Sequence, residues 1–230
     1  MASNENTRIL PEIGGATVGT RLSGIYELDE RIASGGMGEV YRGHNIETSD
    51  PVAIKIVLPE FARDPTILAL FRKEASILFH LSHDAIVRYH VFTVDPGIGR
   101  PYMAMEFVNG VSLLDLMEAG PMAPEEVRKL CIRLASGLAT AHEAGVIHRD
   151  LSPDNVIVVG GKVERSKIID FGIARSANVG GETLLGGKFA GKYNYVSPEQ
   201  LGLYGGDVTD RLNADRQELA RLDRDAYLVD

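Results

Sequence analysis

At 230 residues and 44% hydrophobic, the chain has enough apolar material for one large core or two small ones. Its net charge of −8 argues against a nucleic-acid groove as the main function. A lone cysteine, Cys131, excludes an internal disulfide and fits a reducing compartment, and no apolar run is long enough to span a bilayer. Cys131 lies in an apolar helical pattern with Val127, Leu130, Leu134, Ala135 and Leu138, which predicts a buried, inert thiol.

Residues 1–20 are polar and Gly-rich, without a signal-peptide pattern, and read as a flexible lead-in. Strand patterns follow at Tyr26–Ile32, Glu39–His44 and Val52–Val57, divided by Gly, Asn and Asp. A helix is predicted where Ile67, Leu70, Phe71, Glu74, Ala75, Ile77 and Leu78 recur at helical spacing. Two more strands, Ile86–Val94 and Tyr102–Phe107, flank a turn at Asp95-Pro96-Gly97. Residues 21–107 therefore predict a five-stranded antiparallel sheet with one helix.

The character changes after Val108-Asn109-Gly110. Ser112 is a suitable N-cap for a short helix over Leu113–Ala119. Pro124, with Glu125 and Glu126 behind it, opens a long helix to about Ala144, which Gly145 closes. Short strands follow at Val156–Val159 and Lys167–Ile169.

Four short motifs concentrate the chemistry. In the run from Ala33 to Val40, Gly35, Gly36 and Gly38 allow a backbone to close over phosphates, which side chains would prevent. Alone, such a turn is more often a plain hairpin. Lys55 ends Val52-Ala53-Ile54-Lys55, a cation in an apolar strand, where snorkelling to water is the ordinary reading. Asp150 and Asn155 bound the run His148-Arg149-Asp150-Leu151-Ser152-Pro153-Asp154-Asn155, and Asp170 opens Asp170-Phe171-Gly172. As isolated residues Asn155 and Asp170 are also ordinary turn formers.

In this order and spacing the four motifs, extended by Ser197-Pro198-Glu199, resemble the protein kinase family over about residues 25–204. The variant forms Gly35-Gly36-Met37-Gly38-Glu39-Val40-Tyr41 and Ser197-Pro198-Glu199-Gln200-Leu201 resemble the eukaryotic-like serine/threonine kinases of bacteria. The resemblance implies an α+β, bilobal fold, with an N-lobe over 21–107 and a partial, mainly helical C-lobe over 108–205; beyond it, 206–230 reads as an atypical charged helical tail. It implies ATP and Mg²⁺ as cofactors, protein hydroxyls as acceptors, and the nucleotide beneath the joint near 107–111.

The site residues follow from the same resemblance. Asp150 orients or deprotonates the acceptor, and Lys55, held by Glu74, meets the α/β-phosphates. Asn155 and Asp170 supply oxygens to Mg²⁺. Ile32, Ala33, Gly35, Gly36, Gly38, Val40, Ala53, Met105, Glu106, Val108 and Ile157 surround the nucleotide. Ala33 replaces the family's first glycine. Ser152 and Lys192 stand where serine/threonine-directed relatives carry Lys and Thr, which reads either as an exchange of cation and hydroxyl or as a solvated Lys192. Arg149 implies an activation segment ordered by its own phosphate, with Thr183 as the acceptor.

The match ends after about Gly205. From Arg211 to Asp225 the chain is helical but strongly charged, a surface pattern and not a core one. The chain then reads as a fragment, as a rearranged or frameshifted end, or as a form whose incomplete C-lobe a partner or a second copy covers. A catalytically weak nucleotide-binding scaffold is the rival reading, and a small-molecule phosphotransferase a third, which Ser197-Pro198-Glu199 opposes. The expected location is cytoplasmic, as a free chain or as part of a longer membrane-anchored kinase.

Overall fold

The computed structural model describes residues 13–35, 38–148, 150–171 and 195, except for the side chains of Thr66, Ile67, Leu70, Lys73 and Glu74. The chain divides into two units, one from Met1–Leu68 with Val91–Met105, the other from Ala69–His90 with Glu106–Asp230.

The first unit is built on an antiparallel sheet. Its strands are β1 (Arg21–Leu22), β2 (Tyr26–Ser34), β3 (Gly38–Asn45), β4 (Pro51–Val57), β5 (Tyr89–Val94) and β6 (Pro101–Glu106). The spatial order is β1-β2-β3-β4-β6-β5. Among the described residues six strands replace the expected five, because β1 is two residues long and too short to show periodicity.

Alternation sorts this sheet into two faces. Tyr26, Leu28, Tyr41, Val52, Ile54, Ile56, Tyr102 and Ala104 form a buried core on one face. Ala16, Leu22 and Ile98 complete it. Residues 13–20 thus differ from the expected lead-in. The Gly14 N–H donates to Ile98 O (2.8 Å), and the Tyr41 hydroxyl donates to Ala16 O (2.9 Å). One backbone-to-backbone bond and one side-chain-to-backbone bond tie down a segment whose composition carries no core signal. Residues 1–12 lie outside the described residues, as does the charged tail.

The Asp95 turn is deeper than its sequence suggests. Asp95 is 1% exposed, and its carboxylate accepts from the N–H groups of Gly97 and Ile98, both at 2.8 Å. It also accepts from the Ser23 N–H, so the β5–β6 turn anchors the N-terminal segment.

The second unit is mainly helical. Helix α1 (Pro65–His80) enters it from Ala69 and buries Phe71, Ala75 and Leu78 at helical spacing. Helix α2 (Leu113–Glu118) is capped as expected, the Ser112 Oγ accepting from the Asp115 N–H at 3.0 Å. Helix α3 (Pro124–Glu143) begins at Pro124, and the Glu126 carboxylate accepts from the Ala123 N–H at 3.3 Å. Gly145, at φ +78°, carries the chain out of it. The buried face of α3 is Leu130, Leu134, Gly137, Leu138 and Ala141. Cys131 lies one step around and is half-buried, not enclosed.

Strands β7 (Val111–Ser112), β8 (Val156–Val158) and β9 (Lys167–Ile168) form a second antiparallel sheet. The expected strand from Ile86 begins instead at Tyr89. Ile86 forms an isolated bridge to Ile168, and the Val87 N–H donates to Ile168 O at 2.9 Å. Arg133 of α3 ties this region together, donating to Asp84 O (2.6 Å) and Ser166 O (3.2 Å).

Asp95→Ala leaves three backbone donors without their acceptor and is expected to lower stability by about 3 kcal/mol, with Asp95→Asn costing roughly half as much. Equilibrium urea unfolding checks this: the midpoint falls in that order at unchanged slope.

Candidate active site

In the first unit the glycine turn joins β2 to β3. Gly35 N–H donates to Gly38 O at 2.8 Å, closing it. A Cβ on Gly38 would stand 2.9 Å from Ile56 O, so this position is closed to any side chain without a shift of β3 or β4. Across the β3–β4 ladder Val40 opposes Lys55 and Arg42 opposes Ala53. Val40, Ala53 and Lys55 therefore share the face opposite the core, each half-buried. Met105 is buried on β6, and alternation with Tyr102 and Ala104 places it on that same face. Ala33 pairs with Val40, and both Ala33 and Ile32 are exposed.

One cation of this unit was not anticipated. Arg100 is 1% exposed. Its Nε donates to Val57 O at 2.7 Å and its Nη2 to the Glu39 carboxylate at 2.9 Å. Only the parity of Glu39, which places an acidic side chain on the core face of β3, signals such a partner in the sequence. Tyr41 lies beside them, its hydroxyl pKa raised by burial first and by the Glu39 carboxylate next.

In the second unit Asp150 and Asn155, expected to meet the acceptor and the metal, are joined through His148 and Ile169 by a closed ring of hydrogen bonds. The Asp150 N–H donates to His148 Nδ1 at 3.3 Å. His148 Nε2 then carries the proton and donates to Ile169 O at 3.0 Å. The Ile169 N–H donates to Asn155 O at 2.9 Å. Asn155 Nδ2 donates to Asp150 O at 2.7 Å and closes the ring. The imidazole is fully buried and packs on the Phe171 ring at 4.6 Å between centroids.

The ring leaves chemistry available at its edge. With the Asn155 nitrogen given to Asp150, the amide oxygen is the end suited to a hard cation. Asp170 follows Ile169 directly and has φ +52°, a left-handed conformation uncommon outside glycine. A carboxylate and an amide oxygen on this short frame fit Mg²⁺, which takes one or two protein oxygens together with phosphate and water. Ser152 is 3% exposed, with Oγ 3.5 Å from Asp154 Oδ2.

The remaining expected residues fall as follows. Ile157 is half-buried on β8, between the buried Val156 and Val158. The Glu106 N–H donates to Arg88 O (2.8 Å), and its carboxylate pairs with Lys167 Nζ (2.9 Å), a link the sequence reading missed. Val108 is half-buried. Glu74 is on α1, but its side chain is outside the described set. Gly36, Arg149, Thr183 and Lys192 lie outside the described residues.

Residues 26–211 match the family model described as protein kinase domain. A probable serine/threonine-protein kinase of Streptomyces coelicolor is 38% identical over 185 residues, covering 78% of this chain and 27% of its own. The serine/threonine-protein kinase pkn2 of Myxococcus xanthus is 37% identical, over 78% of this chain and 22% of its own. The chain thus spans less than a third of the length of these relatives. Among solved structures, the PknI kinase domain of Mycobacterium tuberculosis is 26% identical with a TM-score of 0.69, covering 91% of this chain and 76% of that one. The chain belongs to the protein kinase domain family and has its α+β fold. The family generally uses ATP and Mg²⁺ and acts on proteins.

The ring makes a structural prediction. Asn155→Ala removes one donor and should lower stability by about 1 kcal/mol. Asn155→Asp should cost more, since a carboxylate oxygen would face Asp150 O where an N–H now donates. Urea unfolding of both variants at pH 7.5 checks the order; an Asp variant as stable as the parent would remove the bond from the account.

Proposed function

We propose that this chain transfers the γ-phosphoryl group of ATP to serine or threonine hydroxyls of protein substrates. The observation that carries the reading is the hydrogen-bond ring, which fixes Asp150 and Asn155 against the residue preceding Asp170. The names of the similar bacterial kinases support the serine/threonine direction.

The proposed roles follow from charge. Phosphoryl transfer needs positioned groups and neutralised phosphate oxygens more than covalent help. Lys55, paired with Glu74, supplies positive charge toward the α/β-phosphates. The turn backbone at Gly35, Gly36 and Gly38 offers N–H groups with no side chain in the way. Ile32, Ala33, Val40, Ala53, Met105 and Ile157 line the base, with the backbone at Glu106 and Val108 bonding its edge. Asn155 and Asp170 would hold Mg²⁺, which when bound neutralises phosphate charge. Asp150 receives the acceptor hydroxyl and its proton. Arg149 pairs with a phosphorylated activation segment, and Thr183 is the proposed autophosphorylation site.

Among the described residues no helix is long and apolar enough to cross a membrane. A cytoplasmic site of action, free or within a longer anchored protein, remains the proposal. So does a partner or second copy covering the C-lobe.

Transfer from labelled Mg-ATP to a generic protein substrate tests the reading, with Asp170→Asn as the comparison. The parent should transfer phosphate, and the Asn variant should lose at least about 100-fold in turnover. Absence of a Mg-ATP thermal shift in folded parent would overturn nucleotide binding. A shift without transfer would favour the scaffold reading.

Lys192 gives a separate prediction. If its ammonium replaces the cation absent at Ser152, Lys192→Ala should reduce kcat far more than ATP affinity. Ser152→Lys combined with Lys192→Thr should restore much of the loss, so that the two positions are non-additive. Steady-state kinetics of the three variants decide it; unchanged turnover in Lys192→Ala makes Lys192 a surface charge.

A further inference from the structure

We infer that Arg100 is a positioning residue for the glycine turn, holding the Gly38–Val40 backbone in register with the Lys55 strand through Glu39 and the Val57 carbonyl. This rests on the reading that the turn and Lys55 bind nucleotide phosphates.

A guanidinium that is 1% exposed is costly unless paired and hydrogen-bonded. Here its planar fork spans, from the core side, the two strands that carry the phosphate face. Nε meets Val57 O, two residues beyond Lys55, and Nη2 meets Glu39, the residue after Gly38. Arg provides this geometry where the flexible point charge of Lys does not. Glu39 is itself only 15% exposed at its side chain, and its second oxygen faces Tyr41 OH (3.4 Å) and Arg31 Nη1 (3.5 Å). The carboxylate therefore gathers two cationic donors, Arg100 and Arg31, directly behind the turn, with the Tyr41 hydroxyl beside them.

The turn needs such support because one of its two strands is irregular. The β2–β3 ladder shifts register twice, between Leu28 and Glu30 and between Arg31 and Ala33. Residues 29–34 of β2 are all exposed. Such bulges loosen the pairing that would otherwise fix a hairpin. By contrast β3 and β4 pair without a break from Gly38–Val57 to His44–Pro51. Register is inherited from the β4 side, and Arg100 fastens that side at the end nearest the turn. Gly38 lies close over Ile56 O, so a small slip of β3 against β4 moves the turn as well.

A positioning role and a plain core brace make different predictions. Arg100→Met should weaken Mg-ATP binding roughly 10- to 100-fold, since small misplacements of a phosphate-binding group have effects of that order. Adenosine, which lacks phosphates, should bind within about twofold of the parent, because the change is confined to the phosphate side. Hydrogen exchange at the Gly35 amide should accelerate in the free protein, while the Ile54 amide keeps its protection. The double variant Glu39→Gln/Arg100→Met removes the carboxylate charge that loses Arg100 and keeps only the long contact to Arg31. It should regain melting temperature without regaining the preference for ATP over adenosine, and Arg100→Lys should fall between. Equal losses for both ligands, or recovery of the ATP preference in the double variant, would overturn positioning and leave a core brace. If the parent binds neither ligand, the nucleotide reading and the phosphate role fall together. Unchanged Gly35 exchange in Arg100→Met would by itself overturn the ordering of the turn.

Discussion

Both polar groups of one backbone residue, Ile169, are held by the loop that carries the chemistry. Its carbonyl accepts from His148 and its N–H donates to Asn155. Asn155 and His148 are joined in turn through the backbone of Asp150. The result is a closed, part-buried ring centred on the buried His148, where each bond polarises the next. Asp150 and Asn155 therefore need no direct contact with Asp170 to be fixed relative to it. The left-handed backbone of Asp170 persists on this frame, a conformation that a loosely held loop would relax.

The first unit meets a different constraint. A single sheet must be buried on one face and chemically accessible on the other. The core face is closed by Ala16, Leu22 and Ile98, with Asp95 and Tyr41 tying the covering segment down. The opposite face carries Val40, Ala53, Lys55 and Met105. A one-residue slip in β3 or β4 would exchange these faces and place Lys55 in the core. The unbroken β3–β4 ladder, with the Arg100–Glu39 pair at one end, opposes that slip.

Much of the local architecture was legible because it depends on local chemistry. The Ser112 cap, the Pro124 helix start and the Gly145 exit involve groups three or four residues apart, and each sits where the pattern placed it. The alternation of Val52–Val57 told which residues face together. The shortfalls share a cause. The segment 13–22 shows no periodicity, since it is held by scattered backbone bonds and the two buried side chains Ala16 and Leu22, not by an apolar stripe. Ile86 reads as strand by composition, but its N–H turns back to His83 O and only its neighbours Ala85 and Val87 bond across the isolated bridge to Ile168. Cys131 fits the apolar helical pattern, yet sits at its margin.

For the site the division is similar. Motif order and residue type alone nominated Lys55, Asp150, Asn155 and Asp170, because each needs a particular functional group that few residues provide. The sequence also determined that Gly38 should lack a side chain. Tertiary structure decided what those groups are held by: the tautomer of His148, the orientation of the Asn155 amide, the Arg100–Glu39 pair and the Lys167–Glu106 pair. These partners stand 5 to 61 residues apart in the chain, depending on the pair. Hydrogen-bond partners at most of these separations leave no periodic trace, since their meeting depends on how whole strands and loops pack, and only the folded backbone brings donor and acceptor within reach.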